Sequence, residues 1–253
     1  MPQPVGYPIA ADASPIAVVP CAKRVRVVIN GCTVADSSAP MILLERSRLP
    51  IYYFPRADIR TDLVVPSPRR QSHPLLGEAA FWTLNVGERR CADALWSHDA
   101  PGRAGAALAG ALAFDPAQVD HWYEEDEEVF GHARDPYHRI DVRASARRVR
   151  IEAAGIRLAE TRRALFLFET GLPTRHYIRR ADVRMELLAR SPRRTVCPYK
   201  GFASYFTLRA GGETVPDAAW SYENPLPECP RIESYLCFYP DKVAVDVEAA
   251  GRS

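Results

Sequence analysis

The chain has 253 residues, 47% hydrophobic and 25% charged, the composition of an ordinary soluble globular protein rather than a disordered, fibrous or membrane one. Lys and Arg number 33 against 31 Asp and Glu, and a net charge of +2 gives no bulk field to recruit nucleic acid or an anionic membrane. No apolar run nears the roughly 18 residues of a membrane span, the opening MPQPVGYPIAADASP lacks the parts of a signal peptide, and six scattered cysteines make no disulfide framework, so a cytoplasmic protein with reduced thiols is expected.

In chain order, the dominant period from Arg24 is two. RVRVVI (24–29), Asn30-Gly31 and CTVAD (32–36) read as a hairpin, because Asn-Gly accepts the positive φ angles of a type I′ turn. Short apolar runs follow at 41–45 (MILLE), 51–54, 58–65, 81–86 and 91–98, with Pro or Gly in nearly every gap. The 22 prolines argue against long helices, and only 101–110 reads as a short one. The acidic run EEDEE (124–128) reads as solvated surface.

The pattern then starts again. A shift of 124 positions carries Gly31 onto Gly155, RADIR (56–60) onto RADVR (180–184), SPRR (67–70) onto SPRR (191–194), and Trp96 onto Trp220. So many matches without a gap mean duplication. The expected architecture is mainly β: two tandem homologous units related by an internal pseudo-twofold, with a few short helices. Residues 1–20 read as an extension, 21–130 as the first domain, 131–144 as a linker and 145–253 as the second domain. In the second copy, 228–235 reads as a turn of helix.

The most unusual string is TVCPYKG (195–201), which gathers Cys197, Tyr199 and Lys200 before a glycine. A lysine beside a cysteine can raise its thiolate fraction, as a reactive thiol requires. The competing reading is packing: buried Cys and Tyr, with Lys200 paired to a carboxylate across strands. The first copy has SHPLLG (72–77), with His73, Leu75 and Leu76 at the trio's positions, so any such site belongs to the second copy and the first becomes a scaffold or lid. Glu45 and Glu169 both close an apolar run and are candidates for a general acid or base, or for the partner of a buried base; for Glu169 that partner would be Lys200.

On an extended strand Asp58, Arg60 and Asp62 share a face, as do Asp182, Arg184 and Glu186. A salt-bridged outer face explains them better than a metal site, because the guanidinium occupies the field a cation needs. Trp220 and Tyr222 end a strand as core or as a pocket wall. No Cys-x-x-Cys pair, Gly-rich phosphate loop or nucleophile elbow is present, and Gly211-Gly212 reads as a hairpin turn.

Through ETGLP (169–173), ADVR (181–184), CPYKG (197–201), AWSY (219–222), PLPEC (225–229), FYPDKV (238–243) and the DPYHRIDV segment, the chain resembles a bacterial family catalogued as domain of unknown function 427, in its tandem form. The resemblance covers nearly everything after residue 20. It implies a compact β fold similar to the β-tent of methionine sulfoxide reductase B and Mss4-like domains. Those relatives often hold zinc through paired Cys-x-x-Cys motifs, which this chain lacks, so no zinc is expected and any other cofactor stays open. The family also bears a nucleotidyltransferase label, but the Gly-Ser and paired Asp pattern of such enzymes is absent.

The leading expectation is a small-molecule-binding or enzymatic pocket in the second domain, with Cys197, Lys200 and Glu169 as catalytic candidates and Tyr199, Trp220, Tyr222 and Arg184 as ligand-binding ones. The alternatives are a structural or protein-interaction module, and a redox thiol with Cys229 or Cys237 as its resolving partner. No nucleic-acid or membrane partner is expected, and oligomeric state is left open.

Overall fold

The computed structural model describes residues 15–46, 48–98 and 103–249. The chain divides into two compact units, one ending at Pro136 and the other starting at Tyr137. The first contains β1 (Ile16–Pro20), β2 (Val25–Ile29), β3 (Cys32–Ser37), β4 (Met41–Glu45), β5 (Ile51–Pro55), β6 (Val64–His73), β7 (Gly77–Val86), β8 (Arg89–His98), a short helix α1 (Arg103–Leu108), β9 (Ala111–Phe114), β10 (His121–Glu124) and β11 (Glu127–Val129). The second contains β12 (Ile140–Ser145), β13 (Val149–Ala153), β14 (Ile156–Thr161), β15 (Ala164–Glu169), β16 (Arg175–Ile178), β17 (Leu188–Cys197), β18 (Gly201–Ala210), β19 (Glu213–Tyr222), β20 (Leu236–Phe238) and β21 (Ala244–Val247).

Each unit pairs a seven-stranded antiparallel sheet with a smaller one. The large sheets run β1-β4-β5-β9-β8-β7-β6 and β12-β15-β16-β20-β19-β18-β17, and the small ones β11-β10-β2-β3 and β14-β13-β21. The offset seen in the sequence survives in the register: Tyr53 pairs with Ala113, Phe81 with Trp96 and His73 with Gly77, while Tyr177 pairs with Cys237, Tyr205 with Trp220 and Cys197 with Gly201. The protein is therefore mainly β and built from two copies of one unit.

Both faces of each large sheet are covered, which is why MILLE is a continuous apolar run rather than an alternating one. Ile42, Leu44, Phe54 and Phe114 face the small sheet's Val25, Val27 and Ile29 in one core cluster. On the other face Leu43, Tyr53 and Ala113 pack with Leu76 and Leu108. The second unit repeats this, with Phe166, Ile178 and Phe238 on one face and Leu167, Tyr177, Trp220 and Tyr222 on the other. Adjacent strand residues point oppositely, so Leu43 and Glu45 share the second face, as do Leu167 and Glu169.

Several expectations change. Residues 16–20, read as an extension, are an edge strand paired to β4, and β12 recruits residues 140–144 of the expected linker. The stretch 58–65 is not one strand: residues 56–58 and 61–63 form 3-10 turns, as do 180–182 and 185–187. Asp58 accepts from the Ser37 hydroxyl at 2.6 Å and Asp182 from the Thr161 hydroxyl at 2.7 Å, and these tertiary bonds hold the turns. The acidic run is a hairpin between β10 and β11, and its first member is not solvated. Glu124 is buried, accepting from the Tyr52 hydroxyl at 2.6 Å and pairing with Lys23.

The turn chemistry follows the sequence. Asn30 and Gly31 take φ of 50° and 70°, and Gly211 and Gly212 take 60° and 79°. A Cβ added at Gly211 would lie 2.9 Å from the Ala154 Cβ of the neighbouring hairpin, whereas one at Gly212 meets nothing within 4 Å. Both substitutions carry the strain of positive φ, but only the first adds a clash. Gly211→Ala should therefore lower stability by about 1 kcal/mol more than Gly212→Ala in thermal unfolding; equal losses would show that the two hairpins separate freely.

Candidate functional site

In the second unit the chemistry converges on Glu169, the last residue of β15. The Lys200 ammonium donates to its Oε1 at 2.5 Å, and His138 Nε2 lies 3.0 Å from the same oxygen. Side-chain exposure is 9% for Lys200 and 6% for Glu169, so this is a buried ion pair. Burial acts to raise the Glu169 pKa, but the His138 hydrogen bond and the Lys200 charge outweigh it and hold the carboxyl below its ordinary value. An ionised carboxylate only accepts, so His138 donates through Nε2. Tyr199 stacks on the imidazole, ring centroids 4.1 Å apart and planes 22° from parallel.

The tight β17–β18 turn places these groups. Lys200 N–H donates to the Cys197 carbonyl at 3.3 Å, and Gly201 closes the turn at φ 96°, a left-handed conformation that favours glycine. Cys197 packs half-buried against the cluster of Trp220, Tyr222 and Cys229. Burial, with the carboxylate of Glu169 behind it, pushes the Tyr222 phenol far up, so it stays neutral. Burial likewise pushes the Cys229 thiol up to about 11 and Cys237 up to about 12, which leaves neither a ready resolving thiolate. Trp220 Nε1 donates to the Tyr177 hydroxyl at 3.3 Å.

The structure thus brings Glu169, Lys200, Tyr199, Cys197, Trp220 and Tyr222 to one face of the sheet. Arg184 does not join them: it pairs with Glu186 at 2.8 Å on the surface, beside Val183 of the other core cluster. His138 is the member that sequence reasoning missed. Its signal lay in strand pairing, because Ile140, two residues on, sits opposite Glu169, but that segment read as a linker.

The first unit arranges the same positions differently. His73 Nδ1 accepts the Leu75 and Leu76 N–H groups at 3.2 and 3.1 Å, so its Nε2 carries the proton and donates to Glu45 at 3.2 Å. Arg48 adds an ion pair to Glu45 at 3.3 Å. Leu76, fully buried, stands where Lys200 stands in the second unit. Beside this dyad is a cavity of about 260 Å³ whose wall includes Glu45, Tyr53, His73, Trp96, His98 and Asp115. A mostly apolar cleft of about 370 Å³ adjoins it, lined by Trp122, Phe114 and Phe130 among others. Among the described residues no group of three or more His, Cys, Asp or Glu side chains gathers that could hold a metal, and no helix is long and apolar enough to cross a membrane.

Fold and site together define a tandem-duplicated, mainly β protein with one carboxylate-centred site position per copy. The chain belongs to the family described as domain of unknown function (DUF427), short label NTP_transf_9, which it matches twice, over residues 17–125 and 141–250. No curated protein matches it.

Proposed function

We propose that the second unit is a small-molecule site with acid–base capability: Glu169 orients His138, Lys200 keeps Glu169 ionised, and Tyr199, Cys197 and Tyr222 flank the ligand. The supporting observation is the internal comparison at one position. Leu76 occupies the Lys200 place with the same strand register and complete burial. A buried ion pair commonly adds nothing to stability over an apolar residue of similar size. The first unit packs Leu76 at this position and pairs Glu45 with Arg48 and His73 instead, so the fold accommodates an apolar residue there, and a lysine placed in a desolvated site points to chemistry. A carboxylate-fixed imidazole is also the arrangement that readies a histidine for proton transfer.

Native mass spectrometry of freshly purified protein tests this. Wild type should carry a small-molecule adduct that Lys200→Leu loses while melting within a few degrees of wild type. An adduct retained equally by Lys200→Leu, or wild type found only at its bare mass, would count against the reading.

A second reading, a protein-interaction module, draws on Val196 and Phe202. They are exposed and paired across β17 and β18, where the first unit has the polar Ser72 and Glu78.

A further inference from the structure

The two units compare one framework furnished in two ways, and they diverge most at the indole. In the second unit the Tyr239 ring lies 4.3 Å from that of Trp220, and the Arg175 guanidinium sits 5.4 Å from its centroid. The chain itself thus covers this indole with a phenol and a cation. The corresponding residues of the first unit are Asp115 and Ile51, and both line the cavity of about 260 Å³ at Trp96. The correspondence rests on strand pairing: Ala113 lies between Tyr53 and Trp96 as Cys237 lies between Tyr177 and Trp220. What Tyr239 fills in one copy is open in the other.

The first-unit wall has also lost positive charge. Lys200, Arg175 and Tyr239 are replaced by Leu76, Ile51 and Asp115, each step making the wall more negative; Leu172 to Arg48 goes the other way, and Cys197 to His73 and Tyr222 to His98 add imidazoles. The two arginines present are already engaged. Arg48 pairs with Glu45, while Arg69 lies 4.3 Å from the Phe81 centroid and 3.7 Å from Asp93. Asp115, by contrast, accepts from neutral donors, the Ala117 N–H at 3.0 Å and the Gln118 amide at 3.2 Å. Trp96 Nε1 donates to the Tyr53 hydroxyl at 3.0 Å, which fixes the indole plane.

We propose that the first-unit cavity binds a small aromatic cation, an arylalkylamine of one ring. The ring lies against Trp96 in place of Tyr239, and the ammonium meets Asp115 and the indole face in place of Arg175. The size agrees, since the cavity falls below the roughly 300–1,000 Å³ of sites for larger ligands. This site is separate from the one proposed for the second unit.

Isothermal titration of the full chain with tyramine tests it, with 4-hydroxyphenylacetate as the same ring carrying the opposite charge. Tyramine should bind at least about tenfold more tightly than 4-hydroxyphenylacetate. Asp115→Asn, which keeps the side-chain shape, should weaken tyramine at least about fivefold, and Asp115→Tyr, which installs the second unit's own ring, should abolish binding. Thermal unfolding of Asp115→Asn near the wild-type temperature establishes that the loss is local. Equal binding of the two probes, unchanged tyramine affinity in folded Asp115→Asn, or no heat at about 10 mM tyramine would overturn the proposal.

Discussion

Glu169→Ala should destabilise the second unit by about 3–5 kcal/mol, read from urea unfolding followed by a probe in that unit. The substitution takes the acceptor from the Lys200 ammonium and the His138 imidazole at once, and both are shielded from water that could replace it. Lys200→Leu should cost less, because the Glu169 carboxylate keeps the His138 donor while the new side chain imitates the packing of Leu76. The double variant Glu169→Ala/Lys200→Leu should therefore recover most of what Glu169→Ala loses, a coupling above about 1 kcal/mol. A double variant as unstable as Glu169→Ala would assign the loss to the vacated volume rather than to an orphaned charge.

Acid gives an independent check. The folded Glu169 carboxyl titrates below its ordinary value of 4.5, so its stabilising contribution is complete above that pH and is lost as pH falls through the lower folded value. The stability gap between wild type and Glu169→Gln should shrink over that acid range and not above it.

The duplication, the mainly β class and the hairpin turns were legible because they rest on local signals: an Asn30-Gly31 dipeptide, a period of two, a constant offset. What was not legible depended on long-range pairing. Edge strand β1 carries no turn signal of its own and becomes a strand only by pairing with β4. The 3-10 turns at 56–58 and 61–63 replace an extended run because Ser37, distant in sequence, holds Asp58. Glu124 escapes solvent through Tyr52, and His138 reaches Glu169 through the neighbouring strand pair.

The site shows the same division. TVCPYKG announced the polar trio, and the Glu169–Lys200 pair was one of the readings it allowed. Open volume is not written in such a motif. It depends on whether position 115 or its counterpart 239 bears a carboxylate or a phenol, so the first unit, whose turn lacks the polar trio, has a cavity at its tryptophan.

His176 should make the second unit acid-sensitive in a window well above that of the carboxylates. Burial chiefly, then the charges of Arg147 and Arg175, bring its pKa down from 6.5 to about 4, so the folded unit holds it neutral. The unfolded chain binds the proton from about pH 6.5 downward, and between the two values the unfolded state carries more protons than the folded one. Stability is unaffected above pH 6.5, falls as pH drops toward 4, and by pH 5 has lost about 2 kcal/mol through this residue at roughly 1.36 kcal/mol per unit. The ring has little room to avoid this, since it meets Phe166 edge-on at 4.5 Å and Arg147 covers the same phenylalanine. The first unit has Tyr52 at this position, which suggests the control. His176→Tyr should flatten the decline of second-unit stability between pH 6.5 and 5, whereas parallel curves for the two proteins would show that His176 gains its proton without unfolding. Because Tyr177, the next residue, receives the Trp220 hydrogen bond, the same acidification should loosen the aromatic wall of the second-unit site before it reaches Glu169.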